Sequence, residues 1–428
     1  MNDNDPGGMN RRTFLGSAGA GLLILRPEVV RGSAANSAIR HGLLGCGGRG
    51  TVVATSFATN TSARVVALAD MFGDQLDKAK QHFDKIAAAK GQAPIDRKLM
   101  FRGPHAYQEL AASDAIDMVQ ISTPDWFHPQ HLETVVGAGK HVYCEKPVAV
   151  DVPGAKRIVK IGEKAEGRLS LDVGFQIRSA PPFVELVRRI HEGAIGPMAH
   201  VSAHYHATAI KYPARPPMSK TELRLRNWYW DRIISGDVMV DQNIHVIDIC
   251  NWVMRSHPVK AAGAGGRKVR SDFGNTWDHF AVNFTYPDDV TVSFNSVQFG
   301  DILWDVTERF FGARGVAESP YSGPLQIISE NPWLWRDPEP KAAQPRAGFS
   351  VTGEFTDNLA HADREKDRAF IESIVTGKYH NQAATGAESA LSAILGRTAA
   401  YAGRTVTWDE LMASEEVYDP HLDLSEFS

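Results

Sequence analysis

Gly45-Cys46-Gly47-Gly48-Arg49-Gly50 follows a short apolar run, Ile39 to Leu44, and opens a helical pattern that reaches about Asn60. The next apolar run, Arg64 to Ala69, ends on Asp70, about twenty residues past Gly50. Strand, glycine turn, helix, strand and acid in that order predict a dinucleotide site. Gly45 permits the tight turn, Gly47 lets the backbone approach a pyrophosphate, and Gly50 lets the helix pack on the strand. The loop residues, Cys46 and Arg49 among them, then present N–H groups to phosphate at a helix N-terminus. A carboxylate at Asp70 can accept hydrogen bonds from the adenine ribose and repel a 2′-phosphate. Met71 and Phe72 bring no cation, so NAD is expected over NADP.

Working outward, a helix is predicted over Asp77 to Ala88, then strand Met118 to Ser122, helix Pro129 to Gly139, strand His141 to Cys144, helix Val152 to Glu166 and strand Leu169 to Gly174. Strands alternating with helices predict an α/β Rossmann fold, a doubly wound parallel sheet with right-handed crossovers, over residues 36–174. The pattern then changes. Helix Phe183 to Glu192 precedes strands His200 to His206, Val259 to Gly265, Asp278 to Tyr286, Val290 to Gln298 and Thr307 to Gly312. Tyr286-Pro287-Asp288-Asp289 reads as a hairpin turn, so residues 175–428 are expected to form an α+β domain with a large, mainly antiparallel, open-faced sheet. Pro320 to Gly353 reads as a long irregular excursion, and helices Asp363 to Thr376 and Ala387 to Gly403 close the chain.

With 428 residues, 43% of them hydrophobic, the chain can bury a sizeable core. The net charge of −4 is spread without a basic stripe, which argues against nucleic acid and membrane surfaces as partners and favours a small neutral ligand. No apolar stretch reaches the roughly 18 residues of a transmembrane helix. Near the start, Asn10-Arg11-Arg12-Thr13-Phe14-Leu15 precedes a weakly apolar run, Gly16 to Leu25, and small residues follow at Ser33-Ala34-Ala35. Residues 1–35 therefore read as a twin-arginine export signal, which makes the expected location periplasmic. The three cysteines show no disulfide framework, and apart from the i, i+4 pair Asp241 and His245 no cluster shows metal-ligand spacing.

Lys146 lies just past a strand end in Glu145-Lys146-Pro147, where strand-end loops of a doubly wound fold meet the ligand. Its ammonium can stabilise an alkoxide-like oxygen, and Glu145 can orient it or touch a ribose. Asp241 and His245 are four apart in a helical pattern. The imidazole can take a hydroxyl proton while the carboxylate fixes its tautomer or contacts substrate. A core histidine satisfied by its neighbour, or an i, i+4 metal pair, are the competing readings. His204 and His206 share one strand face with Tyr205 opposite, and Arg226-Asn227-Trp228-Tyr229-Trp230 offers flat apolar surfaces.

Ser122-Thr123-Pro124-Asp125-Trp126-Phe127-His128 and Glu145-Lys146-Pro147 resemble motifs of the Gfo/Idh/MocA oxidoreductases. The resemblance continues through Gly174-Phe175-Gln176-Ile177-Arg178 and Asp241-Gln242-Asn243-Ile244-His245 to Thr405-Val406-Thr407-Trp408-Asp409. Asp125 and Gln176 stand where the family commonly has Asn. The resemblance implies a catalytic Lys146 with Asp241 and His245 beside the substrate. It adds Ser122, Thr123, Pro124, His128, Glu145, Lys146 and Gln176 to the cofactor contacts, and Arg178, His206 and Trp228 to the substrate contacts. It also implies hydride transfer between NAD and a carbinol or keto carbon of a carbohydrate or polyol, in a homo-oligomer joined through the second sheet. A redox-neutral NAD-dependent glycosidase and a non-catalytic nucleotide-dependent binding protein are the alternatives.

Overall fold

The computed structural model describes residues 38–208, 210, 215–271, 273–300, 304–338 and 357–428; the expected export signal lies outside them. In the first half, β1 (Arg40–Leu44), α1 (Gly48–Asn60), β2 (Arg64–Asp70), α2 (Gly73–Ala89), β3 (Met100–Arg102), α3 (Ala106–Ala112), β4 (Met118–Ile121), α4 (His128–Gly137), β5 (His141–Cys144), α5 (Val152–Ala165) and β6 (Leu171–Val173) alternate. The six strands lie in the order β3-β2-β1-β4-β5-β6, all parallel. Every residue of β4 and β6 is buried, as expected of strands covered by helices on both faces. The order reverses between β1 and β4, which opens a crevice beyond the strand ends where the glycine loop and Ser122-Thr123 meet. β3 and α3 were not anticipated, since Met100-Phe101-Arg102 is too short to show a period.

The second half contains α6 (Pro181–His191), β7 (Met198–Ala207), three short helices, α7 (Lys220–Arg226), α8 (Arg232–Ser235) and α9 (Val238–Asp241), and then α10 (Ile244–Met254). Strands β8 (Lys260–Gly266), β9 (His279–Thr285), β10 (Thr291–Gln298), β11 (Asp305–Gly312), β12 (Gly315–Glu318), β13 (Gln326–Ser329) and β14 (Trp333–Leu334) follow. α11 (Ala362–Thr376), α12 (Ala383–Ala402), β15 (Val406–Thr407) and α13 (Trp408–Met412) complete the chain's elements. The nine strands run β14-β13-β12-β11-β7-β10-β9-β8-β15, antiparallel except where β10 pairs with β7. β9 and β10 are joined by the expected hairpin, with Asp288 and Asp289 at φ 58° and 57°. Pro320 to Gly353 is not wholly irregular: β13 and β14 extend the sheet from it, and residues 339–353 lie outside the described part.

α12 ties the two sheets together through small residues. A Cβ at Gly386 would stand 2.9 Å from Val173 of β6, and one at Gly396 would stand 2.6 Å from Phe284 of β9. Arg397 donates from one nitrogen to the carbonyls of Val150 and Gly236, each at 2.9 Å. Gly236 and Asp237 both take positive φ, 75° and 72°, at the start of α9, the helix that carries Asp241 toward the crevice.

Candidate active site

The glycine loop fits a pyrophosphate. Gly45 has φ 91°, and a Cβ there would lie 2.4 Å from the Ser122 carbonyl; one at Gly50 would lie 2.0 Å from the Gly45 carbonyl. Beside Gly47 and Gly48 there is open space within 4 Å. α1 starts there with neither a capping side chain nor an acid in its first turn, so its N-terminal N–H groups remain for an anion.

The crevice holds two adjoining cavities that share Ser122, Thr123, Arg215, Arg226 and Trp228 in their walls. The first, about 490 Å³, holds Gly45, Gly47, Asp70 and Pro124. Asp70 accepts from the Cys46 N–H at 2.7 Å and the Phe72 N–H at 2.8 Å, and burial pushes its carboxyl up to about 6. The Cys46 amide is therefore spent on Asp70 rather than on phosphate. Missing from the sequence reading is a cation that arrives from far along the chain. Arg226 lies 3.8 Å over the Phe72 ring, but its guanidinium is paired with Asp74 and Glu222. Leu424, Ser425 and Ser428 line the same end, and Phe427 meets Phe72 edge to face at 5.6 Å.

Because the cation is already paired, NAD is still expected to bind more tightly than NADP. Protonating Asp70 removes a ribose acceptor, so calorimetric NAD affinity is expected to hold above pH 6 and to weaken below it. Asp70→Asn is expected to flatten this dependence and cost roughly tenfold, the size of a charged hydrogen bond; an unchanged pH profile in the variant would separate Asp70 from the ribose.

The second cavity, about 540 Å³, is lined by Arg49, Asp125, Glu145, Lys146, Gln176, Tyr205, Trp228, Tyr229, Asp241, Gln242 and His245. Lys146, in a cis Lys146-Pro147 step, donates to the Asp241 carbonyl at 2.5 Å and stands 3.6 Å from its carboxylate. Burial, reinforced by Asp241, pushes the Asp125 carboxyl well above its usual range. A neutral carboxyl there can donate a hydrogen bond, as the more common amide would. Burial, with Lys146 and Arg49 nearby, holds the buried His245 imidazole well below its usual value, and among the described residues its Nδ1 has no hydrogen-bond partner. Glu145 is fixed from behind: Arg49 Nε donates to it at 2.9 Å and the Tyr143 hydroxyl at 3.0 Å, while another Arg49 nitrogen donates to Gln176 at 3.0 Å. Lys366 in turn donates to the Tyr143 hydroxyl at 2.9 Å and to Asp363 at 2.6 Å. Tyr205 and Gln298 both donate to Gln242, at 3.0 and 3.2 Å, giving the cavity a polar floor that sequence reasoning did not identify.

Four sequence expectations are corrected. Asp241 and His245 do not share a helix: the chain breaks at Gln242-Asn243, and Asp241 turns to Lys146 instead of orienting the imidazole. Arg178 is held by Asp248 at 2.8 and 2.9 Å, away from the cavity, so it braces α10. His206 lies on the opposite sheet face from cavity-lining Tyr205, because adjacent strand residues alternate. His128 is buried between the carbonyls of Pro147 and Thr123, at 2.6 and 2.8 Å, and joins the two loops rather than lining the cavity.

A Rossmann sheet with a glycine loop and terminal acid, joined to an open sheet that lines a polar cavity around a lysine, is the architecture of a two-domain dinucleotide-binding protein. The chain belongs to the Gfo/Idh/MocA family: the model of its NAD-binding Rossmann fold matches residues 39–173, and that of its C-terminal domain matches residues 183–318. Inositol 2-dehydrogenase of Rhizobium meliloti is 27% identical over 245 residues, 57% of this chain and 64% of that protein, so the chain spans just under two thirds of that relative. A glycosyl hydrolase family 109 protein of Solibacter usitatus is 30% identical over 131 residues, 31% of this chain and 29% of its own length. The solved scyllo-inositol dehydrogenase from Lactobacillus casei with NAD(H) and scyllo-inositol superposes with TM-score 0.66 at 19% identity, over 87% of this chain and 99% of that one.

Proposed function

We propose that this protein oxidises a secondary hydroxyl of a polyol or sugar with NAD. The observation that carries the proposal is that the cavity of the glycine loop and Asp70 shares its wall with the cavity of Lys146, Asp125, Gln242 and His245. NAD supplies the hydride acceptor when bound. Lys146 donates a hydrogen bond to the reacting oxygen and stabilises its developing charge. His245, kept neutral by burial, accepts the hydroxyl proton. Neutral Asp125, Gln242 and Tyr229 recognise neighbouring hydroxyls, and Trp228 offers an apolar face to the ring. The inositol dehydrogenase relatives support a polyol. The partial likeness to family 109 glycosidases supports a second reading, in which the sugar is oxidised, loses its substituent by elimination, takes up water and is reduced again.

The twin-arginine pattern, Arg11-Arg12 before an apolar run, supports export of the folded, nucleotide-loaded protein to the periplasm. Phe311, Ile328 and Leu334, exposed on the outer face of the second sheet, support self-association there. Incubation with inositols, monosaccharides and glycosides, following nicotinamide absorbance and free reducing sugar separately, tests the activity. Polyol-dependent absorbance change supports the dehydrogenase, released sugar without net change the glycosidase, and neither signal would refute both.

A further inference from the structure

We propose that the outer face of the second sheet holds a divalent transition-metal site formed by His204, His206 and Asp305. The sequence shows no metal spacing because the ligands come from two strands nearly a hundred residues apart. β7 alternates: Val201, Ala203, Tyr205 and Ala207 are buried on the cavity side, so Ser202, His204 and His206 point the other way. Register then places the neighbours. Asp305 of β11 pairs with His206, and Asn295 of β10 pairs with His204. One ligand atom from each of His204, His206 and Asp305 lies within 4.8 Å of the other two.

The approach is closest along the diagonal, where His204 Nε2 is 3.0 Å from Asp305 Oδ2. That nitrogen is nevertheless buried and makes no hydrogen bond of acceptable geometry among the described residues. On the other diagonal, His206 Nε2 lies 2.5 Å from Asn295 Oδ1, which puts an amide oxygen at the rim. The two imidazoles are stacked, 4.4 Å between centroids and 18° between planes, and although Asn295 engages the Nε2 of His206, a ring nitrogen of that residue lies within 4.8 Å of the ligand atoms of His204 and Asp305. Two imidazoles and one carboxylate form a borderline donor set suited to Zn²⁺, Co²⁺ or Ni²⁺ and poorly suited to Mg²⁺ or Ca²⁺. Donors drawn closer to one ion would also clip β7 to β11.

Untagged full-length protein, stripped with chelator, is titrated with Co²⁺ while d–d absorption is followed. The expected result is one equivalent bound, with bands bleached by one equivalent of Zn²⁺. His206→Gln and Asp305→Asn are each expected to weaken binding tenfold or more and to leave NAD affinity and turnover unchanged, which also certifies that the variants fold. No stoichiometric Co²⁺ band in the wild type, or an undiminished band in His206→Gln, would overturn the site.

Discussion

Lys146→Ala is expected to lower kcat by about 10² to 10³, the loss typical of removing a donor aimed at a developing oxyanion, while NAD affinity stays within a few fold. The separation follows from position: Lys146 lines the second cavity and not the one that holds Gly45, Gly47 and Asp70. His245→Ala is expected to cost about 10² or more. Because burial holds that imidazole below its usual range, it is neutral and able to accept a proton at physiological pH, so the acid limb of the wild-type profile is expected below pH 6.5. Asp241→Asn is expected to be milder, since the carbonyl and not the carboxylate holds Lys146 at 2.5 Å. Asp125→Asn is expected to stay within a few fold of wild type, because burial already keeps this carboxyl neutral. Steady-state kinetics with fluorescence titration of NADH checks all four. Normal turnover in Lys146→Ala would remove that residue from the chemistry.

The second large effect is expected at the opposite end of the crevice. If the protein is exported as proposed, releasing NADH would stall it where soluble nucleotide is scarce, so the cofactor is expected to stay bound and to be reoxidised in place by a second carbonyl substrate or by return of the hydride to the same sugar. Retention at micromolar protein needs a nanomolar Kd, about −12 kcal/mol. Segment 424–428 is placed to contribute: Phe427 caps Phe72, Arg226 stacks on the same ring, and Glu426 accepts from Ser219 at 2.9 Å. Its anchors lie upstream, where the Tyr418 carbonyl accepts from Trp126 at 2.6 Å and the Pro420 carbonyl accepts from Arg224 at 2.6 Å. Deleting residues 421–428 therefore leaves those anchors in place and is expected to raise the nucleotide dissociation rate at least tenfold. Wild-type protein purified without added cofactor is expected to release near-stoichiometric NAD or NADH on denaturation; empty protein that works only with added NAD would contradict retention.

The glycine loop, Asp70 and the strand ends at Ser122 and Glu145 are legible in the sequence because their chemistry depends on local turns and short spacings. What was illegible comes from chain crossings. Arg226, Phe427 and Lys366 reach the site across about 150, 350 and 220 residues, measured to Phe72 and Tyr143, and no period reports such distances. The His206 error had a local signal: Val201, Ala203, Tyr205 and Ala207 form the apolar phase of β7, so its histidines belong to the outer face. Asp241 and His245 misled for another reason. Four residues apart means one face only in an unbroken helix, and nothing in Asp-Gln-Asn-Ile-His announces the break.

The proposed chemistry is hydride transfer from a polyol or sugar carbon to NAD in the cavity holding Lys146. It is tested most directly by single-turnover incubation of NAD-loaded protein with inositols and sugars deuterated at each ring carbon, followed by mass spectrometry of the nicotinamide. Deuterium is expected at nicotinamide C4 from one position of one substrate class, and is expected to be lost in Lys146→Ala. Unlabelled nicotinamide with every substrate, while bound NAD remains intact, would contradict it.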